Sequence, residues 1–351
     1  MAVHDRLAII VAFTTTSIST VVVALRFYSR YFLVGKLSSP DWVMLAALVG
    51  SWSSAVVNYY QVHFLDYTHV KNKESFKVVV TGSLLTFWIY RLNYIFNLCL
   101  VKTSILLFYN HVTSSHKSFH LITRGTLALV LLGSIGMFVA AIFACTPPSD
   151  AWNFDVFFAS ISGIHTADCY DPTMPWLING GFNLVTDAII WILPIPFFLN
   201  LQTMPVRRRL ELVGIFSIGI MAVVASAVRL NVLLVWSSSW QKQGENSANL
   251  LIWSQVEQHA AIISGSTPFL RPLIRRAFTR VRSRELPSPS PAAKLIAPQH
   301  FTPENPLPPR TLIIPSPSPT IGSTHAPFRV PPSPLSPIAP MQVGSSFDSA
   351  V

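Results

Sequence analysis

Five ionisable residues stand inside long apolar runs of this chain: Arg91, Lys102, Asp187, Arg229 and Glu257. In hydrocarbon each costs about 2.5–3.5 kcal/mol at a helix centre on insertion scales. Such residues persist where they pair, reach an interface or face a cavity. Asn179, Asn183 and Asp187 recur every four residues, a spacing that lines one helix face, and Asn93 and Asn97 repeat it. A stripe of this kind can bind a polar ligand or a proton inside a bundle. It can equally supply interhelical hydrogen bonds that only fix packing, about 0.6 kcal/mol each on average. Both readings stay open. His259 follows Glu257 by two residues and so cannot share its face.

The sequence contains no GxSxG, no HExxH and no glycine-rich phosphate loop. No catalytic residue and no metal site is expected, and His165 near Asp168 is too isolated to serve as a ligand set.

Helical rise places the charges by depth. Asp187 stands about 11 residues into its run, roughly 16 Å down at 1.5 Å per residue. Lys102 stands about 7 residues from the opposite end of its own run, within about 3 Å of the same level if the hydrocarbon is about 30 Å thick. Arg229 and Glu257 each lie about 7 residues from the same end of theirs. The expected ion pairs are therefore Lys102–Asp187 and Arg229–Glu257. Arg91 is shallow enough to reach an interface with its head group.

The elements that must position these residues are membrane helices. The chain has 351 residues, 51% hydrophobic and 11% charged, against roughly 25% charged in a soluble globular chain. Seven apolar runs approach the 20 or so residues needed to cross about 30 Å of hydrocarbon: residues 7–25, 42–60, 84–109, 125–144, 176–199, 212–236 and 250–274. The fold class expected is all-α, a seven-transmembrane bundle over residues 1–284. The first run is too long for a signal peptide core of about 7–15 residues.

From 285 to 351 the composition changes, and 17 of the 27 prolines lie there. This reads as a disordered Pro/Ser-rich tail with polyproline-like stretches. Ser288, Ser290, Ser316, Ser318, Ser333 and Ser336 each precede a proline and are candidate phosphorylation sites.

Lys and Arg counts in the connections set orientation. With the N-terminus outside, the cytoplasmic side holds 14, including Arg26, Arg30, Arg207, Arg208 and Arg209, and the outer side holds 5. The 145–175 loop has no Lys or Arg and contains Asp150, Asp155, Asp168 and Asp171. It belongs outside, where Cys145 and Cys169 could form a disulfide; two free thiols are the alternative. Cys99 reads as a packed residue of the third run. The net charge of +10 is distributed as membrane topology requires, so no nucleic-acid partner is expected. The expected partners are a lipid bilayer, a small-molecule ligand, and a cytoplasmic signalling protein at Arg207, Arg208, Arg209 and the tail. Plasma membrane is the expected location.

Several segments resemble one family. They are Leu25-Arg26-Phe27-Tyr28-Ser29-Arg30, Pro40-Asp41-Trp42, the run from Val101-Lys102 to Phe108-Tyr109, Cys145 with Pro147 and Trp152, Asp187 followed by Leu193-Pro194-Ile195-Pro196, Arg229, and Pro268-Phe269-Leu270-Arg271-Pro272. In this order they resemble the fungal rhodopsin-like seven-helix membrane proteins, the group that includes satratoxin-cluster-type proteins and related receptors. The resemblance implies seven helices and a fungal source but no assigned chemistry. One acidic residue, Asp41, stands where the family usually has two, and Asn110 replaces a usual basic residue. No cofactor is expected: retinal needs a lysine in the last helix, and residues 250–274 contain none. A receptor-like or sensor-like protein fits best. A small-molecule or proton-coupled transporter using Lys102 and Asp187, or an accessory protein of a secondary-metabolite pathway, are the alternatives, and an enzyme is not expected.

Overall fold

The computed structural model describes residues 2–64, 72–112, 117–161, 168–170, 173–195 and 206–285. Among these residues the chain is all-α apart from one short strand pair. Eight α-helices follow in order: α1 Ala2–Tyr28, α2 Ser39–Phe64, α3 Lys73–Val112, α4 Lys117–Ile142, α5 Phe154–Ile161, α6 Thr173–Ile192, α7 Val206–Trp236 and α8 Trp240–Glu285. The expected tail lies outside the described residues.

Local chemistry explains where helices begin and end. The Asp41 carboxylate accepts a hydrogen bond from the Ser38 backbone N–H at 2.9 Å. This is one half of a capping box, with Pro40 in the first turn, where its missing N–H costs nothing. A π-helical turn, Ser29–Val34, extends α1 and stops at Gly35, whose φ of 73° is open to glycine at little cost. Pro268 and Pro272 lie within α8 without ending it. Near them the Gly265 carbonyl accepts from Arg26 Nη1 at 3.2 Å and the Phe269 carbonyl from Ser29 Oγ at 2.7 Å. Neighbouring helices commonly satisfy backbone groups disturbed by proline in this way.

Helices neighbouring in sequence pack together from α1 to α4, then α4 on α6, α6 on α7 and α7 on α8. Helix α8 returns to α1 and also touches α2 and α3. It therefore runs through the middle of the bundle. Its buried side chains include Ser254, Gln255, Glu257, Gln258, His259 and Ile262, spread over more than half of its circumference. Glu257 and His259 do point apart, yet both are buried.

The polarity of the bundle is inverted relative to a soluble protein. Large apolar residues such as Ile10, Val49, Leu121, Leu132 and Ile178 are exposed around the rim. Thr16, Asn58, Asn97, Lys102 and Gln258 are shut inside. A lipid-facing rim around polar contacts is the arrangement a bilayer favours. Among the described residues five helices are long and apolar enough to cross a membrane: Asp5–Val34, Ser39–Phe64, Lys73–His111, Lys117–Ile142 and Ser217–Trp236. The expected run 176–199 falls on α6 as far as Ile192, with 196–199 outside the described residues, and 250–274 falls on α8; neither helix is among these five. Both helices carry much of the bundle's polar interior, which lowers their apolar content. Helix ends also differ from the expected runs. Helix α1 continues past Leu25, so Arg26 is a buried bundle residue and not part of a connection.

Between α4 and α6 the chain forms a small cap. Cys145–Thr146 pairs antiparallel with Asp168–Cys169, and Cys145 and Cys169 are joined by a disulfide. A 3-10 turn, Pro148–Trp152, and α5 follow the first strand. Phe154 and Phe158 each meet the ring of Phe76 at 6.0 Å, and Lys77 pairs with Asp155 at 3.1 Å, which seats α5 on the start of α3.

Candidate functional site

Along α3, polar residues reach across the interior at successive levels. Ser104 Oγ donates to the Pro40 carbonyl at 2.7 Å. Two residues toward the cap, Lys102 Nζ lies 3.1 Å from Asp187 Oδ1. The same nitrogen donates to Thr186 Oγ1 at 2.7 Å, Asn183 Oδ1 at 2.9 Å and the Asn183 carbonyl at 3.1 Å. Three ammonium hydrogens thus face four acceptors, all on α6. Asn183 in turn donates to Asn179 Oδ1 at 3.3 Å. The stripe Asn179, Asn183 and Asp187 is therefore one connected strip, with Lys102 at one end.

Asn97 Nδ2 donates to Ser51 Oγ at 3.0 Å and to Gln258 Oε1 at 2.9 Å, tying α3 to α2 and α8. Asn93 Nδ2 donates to the Gly50 carbonyl at 3.3 Å. Gly50 is small for a reason: a Cβ there would stand 3.0 Å from Asn97 Oδ1.

Next comes the second ion pair. Arg229 Nε is 3.5 Å from Glu257 Oε2 and donates to Ser254 Oγ at 2.9 Å. Tyr94 donates its hydroxyl to Glu257 Oε2 at 2.7 Å, and its ring lies 3.9 Å beneath the Arg229 guanidinium. A buried carboxylate is held by a cation and a hydroxyl at once, which offsets its desolvation.

Two buried arrangements had no place in the expectations. Arg26 Nε donates to Asp41 Oδ1 at 3.0 Å, and Arg30 Nε to Asp41 Oδ2 at 3.2 Å. The Arg26 guanidinium also lies 3.8 Å over the Phe269 ring. The sequence held a signal: Arg26 and Arg30 are four apart on one helix face, and Ser38 precedes Asp41 by capping-box spacing. The second is His259, whose Nδ1 is 2.9 Å from Ser19 Oγ and whose Nε2 is 3.1 Å from Thr16 Oγ1. No spacing rule links α1 to α8 across 240 residues, so nothing in the sequence pointed to that contact.

Beyond the Arg229 level, toward the disulfide cap, the bundle opens into a small cavity. Phe87, Tyr90, Tyr94, Trp176, Leu233 and Leu250 form much of its wall, and Arg91, Arg229 and Asn179 supply the polar groups. Arg91 does not simply extend to an interface. Its guanidinium lies 4.1 Å over the Trp176 ring. Phe87, Trp176 and Trp236 form a mutually contacting trio with centroids 4.9–5.8 Å apart. Among the described residues no group of His, Cys, Asp and Glu could hold a metal ion.

The pattern of the fungal rhodopsin domain matches residues 25–276, more than half of the 351-residue chain. The chain belongs to the fungal rhodopsin domain family. It is therefore an integral membrane protein, in keeping with its apolar helices. A protein named Receptor GIN3 from Arthrobotrys oligospora is 29% identical over 271 residues, 74% of this chain and 60% of that protein. The fungal rhodopsin domain chain thus spans less than two thirds of that receptor's length. A polyenoic acids biosynthesis gene cluster protein, Ba17b, from Metarhizium anisopliae is 27% identical over 74% of this chain and 71% of its own. A SAT4 family membrane protein of Emericella nidulans is 33% identical over 37% of this chain and 32% of its own. No solved structure matches.

Proposed function

We propose that this fungal rhodopsin domain protein is a retinal-free, receptor-like membrane protein that binds a small molecule in the cavity beside the disulfide cap. In this reading α6 and α8 complete a seven-span bundle. The cap lies outside, and Arg207, Arg208 and Arg209 meet a cytoplasmic signalling partner. The observation that carries it is the cavity itself: it is concave, mostly apolar, and supplied with a few polar groups, as ligand sites are. A relative bearing the name of a receptor supports it. The Lys102–Asp187 contact favours a clamp over a transport site, because every hydrogen of the ammonium has an acceptor already. A second reading, an accessory protein that handles a pathway product, draws on the gene-cluster name of another relative. Neither reading assigns the chain a reaction.

Proteoliposomes containing the full chain and a heterotrimeric G protein test the proposal with a labelled metabolite panel. Saturable binding that stimulates nucleotide exchange without net uptake supports the receptor reading. Gradient-driven accumulation abolished by Asp187→Asn overturns it in favour of transport. Binding with neither exchange nor uptake favours the accessory protein.

A further inference from the structure

Three cations inside the bundle face a carboxylate: Arg26 with Asp41 at 3.0 Å, Lys102 with Asp187 at 3.1 Å and Arg229 with Glu257 at 3.5 Å. Arg91 does not. Among the described residues no Asp or Glu lies within ion-pair distance of it; its guanidinium instead lies 4.1 Å over the Trp176 ring. A guanidinium stacked on an aromatic face keeps its N–H edges free in the plane, and those edges match a carboxylate. Trp176 Nε1 is buried and has no hydrogen-bond partner, although indole N–H groups normally find one when buried. Both residues line the cavity, alongside Asn179, whose Oδ1 is already engaged by Asn183 and whose amide hydrogens remain as donors. The cavity therefore offers donors and a positive charge at one place, with aromatic and aliphatic walls around them. Arg229, on the same wall, adds no net charge because Glu257 neutralises it.

We infer that the cavity recognises an organic anion, a carboxylate carried on a small aromatic or short aliphatic body, with Arg91 as the charge anchor, Trp176 as its support and the Asn179 amide as a second donor. The inference rests on the ligand-cavity part of the proposed function and adds the chemical class. An anion here completes the pattern seen at the other three cations, so that each positive charge in the bundle has a negative partner. Phe87, Tyr90 and Trp176, which line the cavity, supply aromatic wall for the ligand body.

The test uses the full chain in lipid nanodiscs and two matched probe pairs: benzoate with benzyl alcohol, and octanoate with octanol. Each pair keeps the body and changes the charge. One carboxylate is expected to bind saturably while its alcohol does not. Arg91→Gln should weaken that binding by roughly tenfold to a hundredfold, the size of a lost charge-assisted hydrogen bond. Arg91→Lys, which keeps the charge but loses the planar fork, should fall between. If Arg91→Gln fails to fold, Arg91→Lys and the probe pairs still decide the question. Alcohols binding as well as carboxylates, with sensitivity to Trp176→Leu, would overturn the anion inference and leave a ligand cavity in place. Carboxylate binding that is indifferent to Arg91, or no binding by any of the four probes, also overturns it. The proposed function then stands or falls on its own G protein and uptake experiment.

Discussion

Asp41 on α2 grips Arg26 on α1 at 3.0 Å with both side chains wholly cut off from solvent. The same carboxylate caps its own helix through Ser38 and takes a second arginine, Arg30, at 3.2 Å. One acidic side chain thus fixes a helix start and joins two helices. Asp41→Ala should cost about 3–5 kcal/mol, because it strands a buried guanidinium. Arg30→Ala should cost clearly less, since Arg30 is partly exposed and Arg26 would still hold the carboxylate. Thermal unfolding of the detergent-solubilised full chain would rank the two; equal losses would show that the latch is not centred on Arg26.

The Lys102–Asp187 contact makes an asymmetric prediction. Lys102→Met alone should be strongly destabilising, by about 3–5 kcal/mol, because it leaves Asp187 buried without a cation. Asp187→Leu alone should cost less: Lys102 keeps Thr186 and Asn183 as acceptors. The double variant should recover much of the loss, which a melting-temperature cycle over the four proteins measures. If the two single effects simply add, the side chains are not coupled.

Removing the disulfide by Cys145→Ser should cost about 3 kcal/mol for a closed loop of this size in the chain-entropy model. The loss should centre on the cap. Proteolysis between residues 145 and 169 should accelerate more than overall unfolding does, and a reducing agent should reproduce the effect in the wild-type chain alone.

Gly265 permits a close approach of α8 to α3. A Cβ there would stand 2.7 Å from Ile105 Cγ1 and 3.2 Å from Met44 Cε. Gly265→Ala should therefore destabilise by about 1–3 kcal/mol, a typical overpacking cost. Pairing it with Ile105→Ala should return part of that stability, read again as a melting temperature. No recovery would place the strain elsewhere.

Depth along a helix is readable from sequence because the rise per residue is fixed, so Lys102 and Asp187 could be set at one level before any fold was known. The cysteines could be paired in thought because a loop without basic residues separated them. What could not be read is lateral: which face of α8 meets which helix. His259 touches Ser19 and Thr16 of α1, and Tyr94 touches Glu257, through packing that no local spacing encodes. The same holds for Arg91. Its depth pointed to an interface, but the ring of Trp176, 85 positions away in the chain, lies within stacking distance instead. Hydropathy misplaced one helix end, since α1 carries Arg26 inside the bundle, and it reads α6 and α8 less clearly because they give up apolar content to the polar interior.

The central place of α8 bears on how this chain comes to be assembled. The ribosome makes seven helices before it makes the one that contacts α1, α2, α3 and α7. Until Gln255, Glu257, Gln258 and His259 emerge, Ser54, Tyr94, Asn97, Ser19 and Thr16 have nothing to clasp on that side. Nascent polypeptides halted before that point would expose a polar seam to lipid and to the quality-control machinery that patrols it. Maturation of the bundle is thus deferred until α8 is made, and a premature stop ahead of residue 240 should leave nothing that survives degradation.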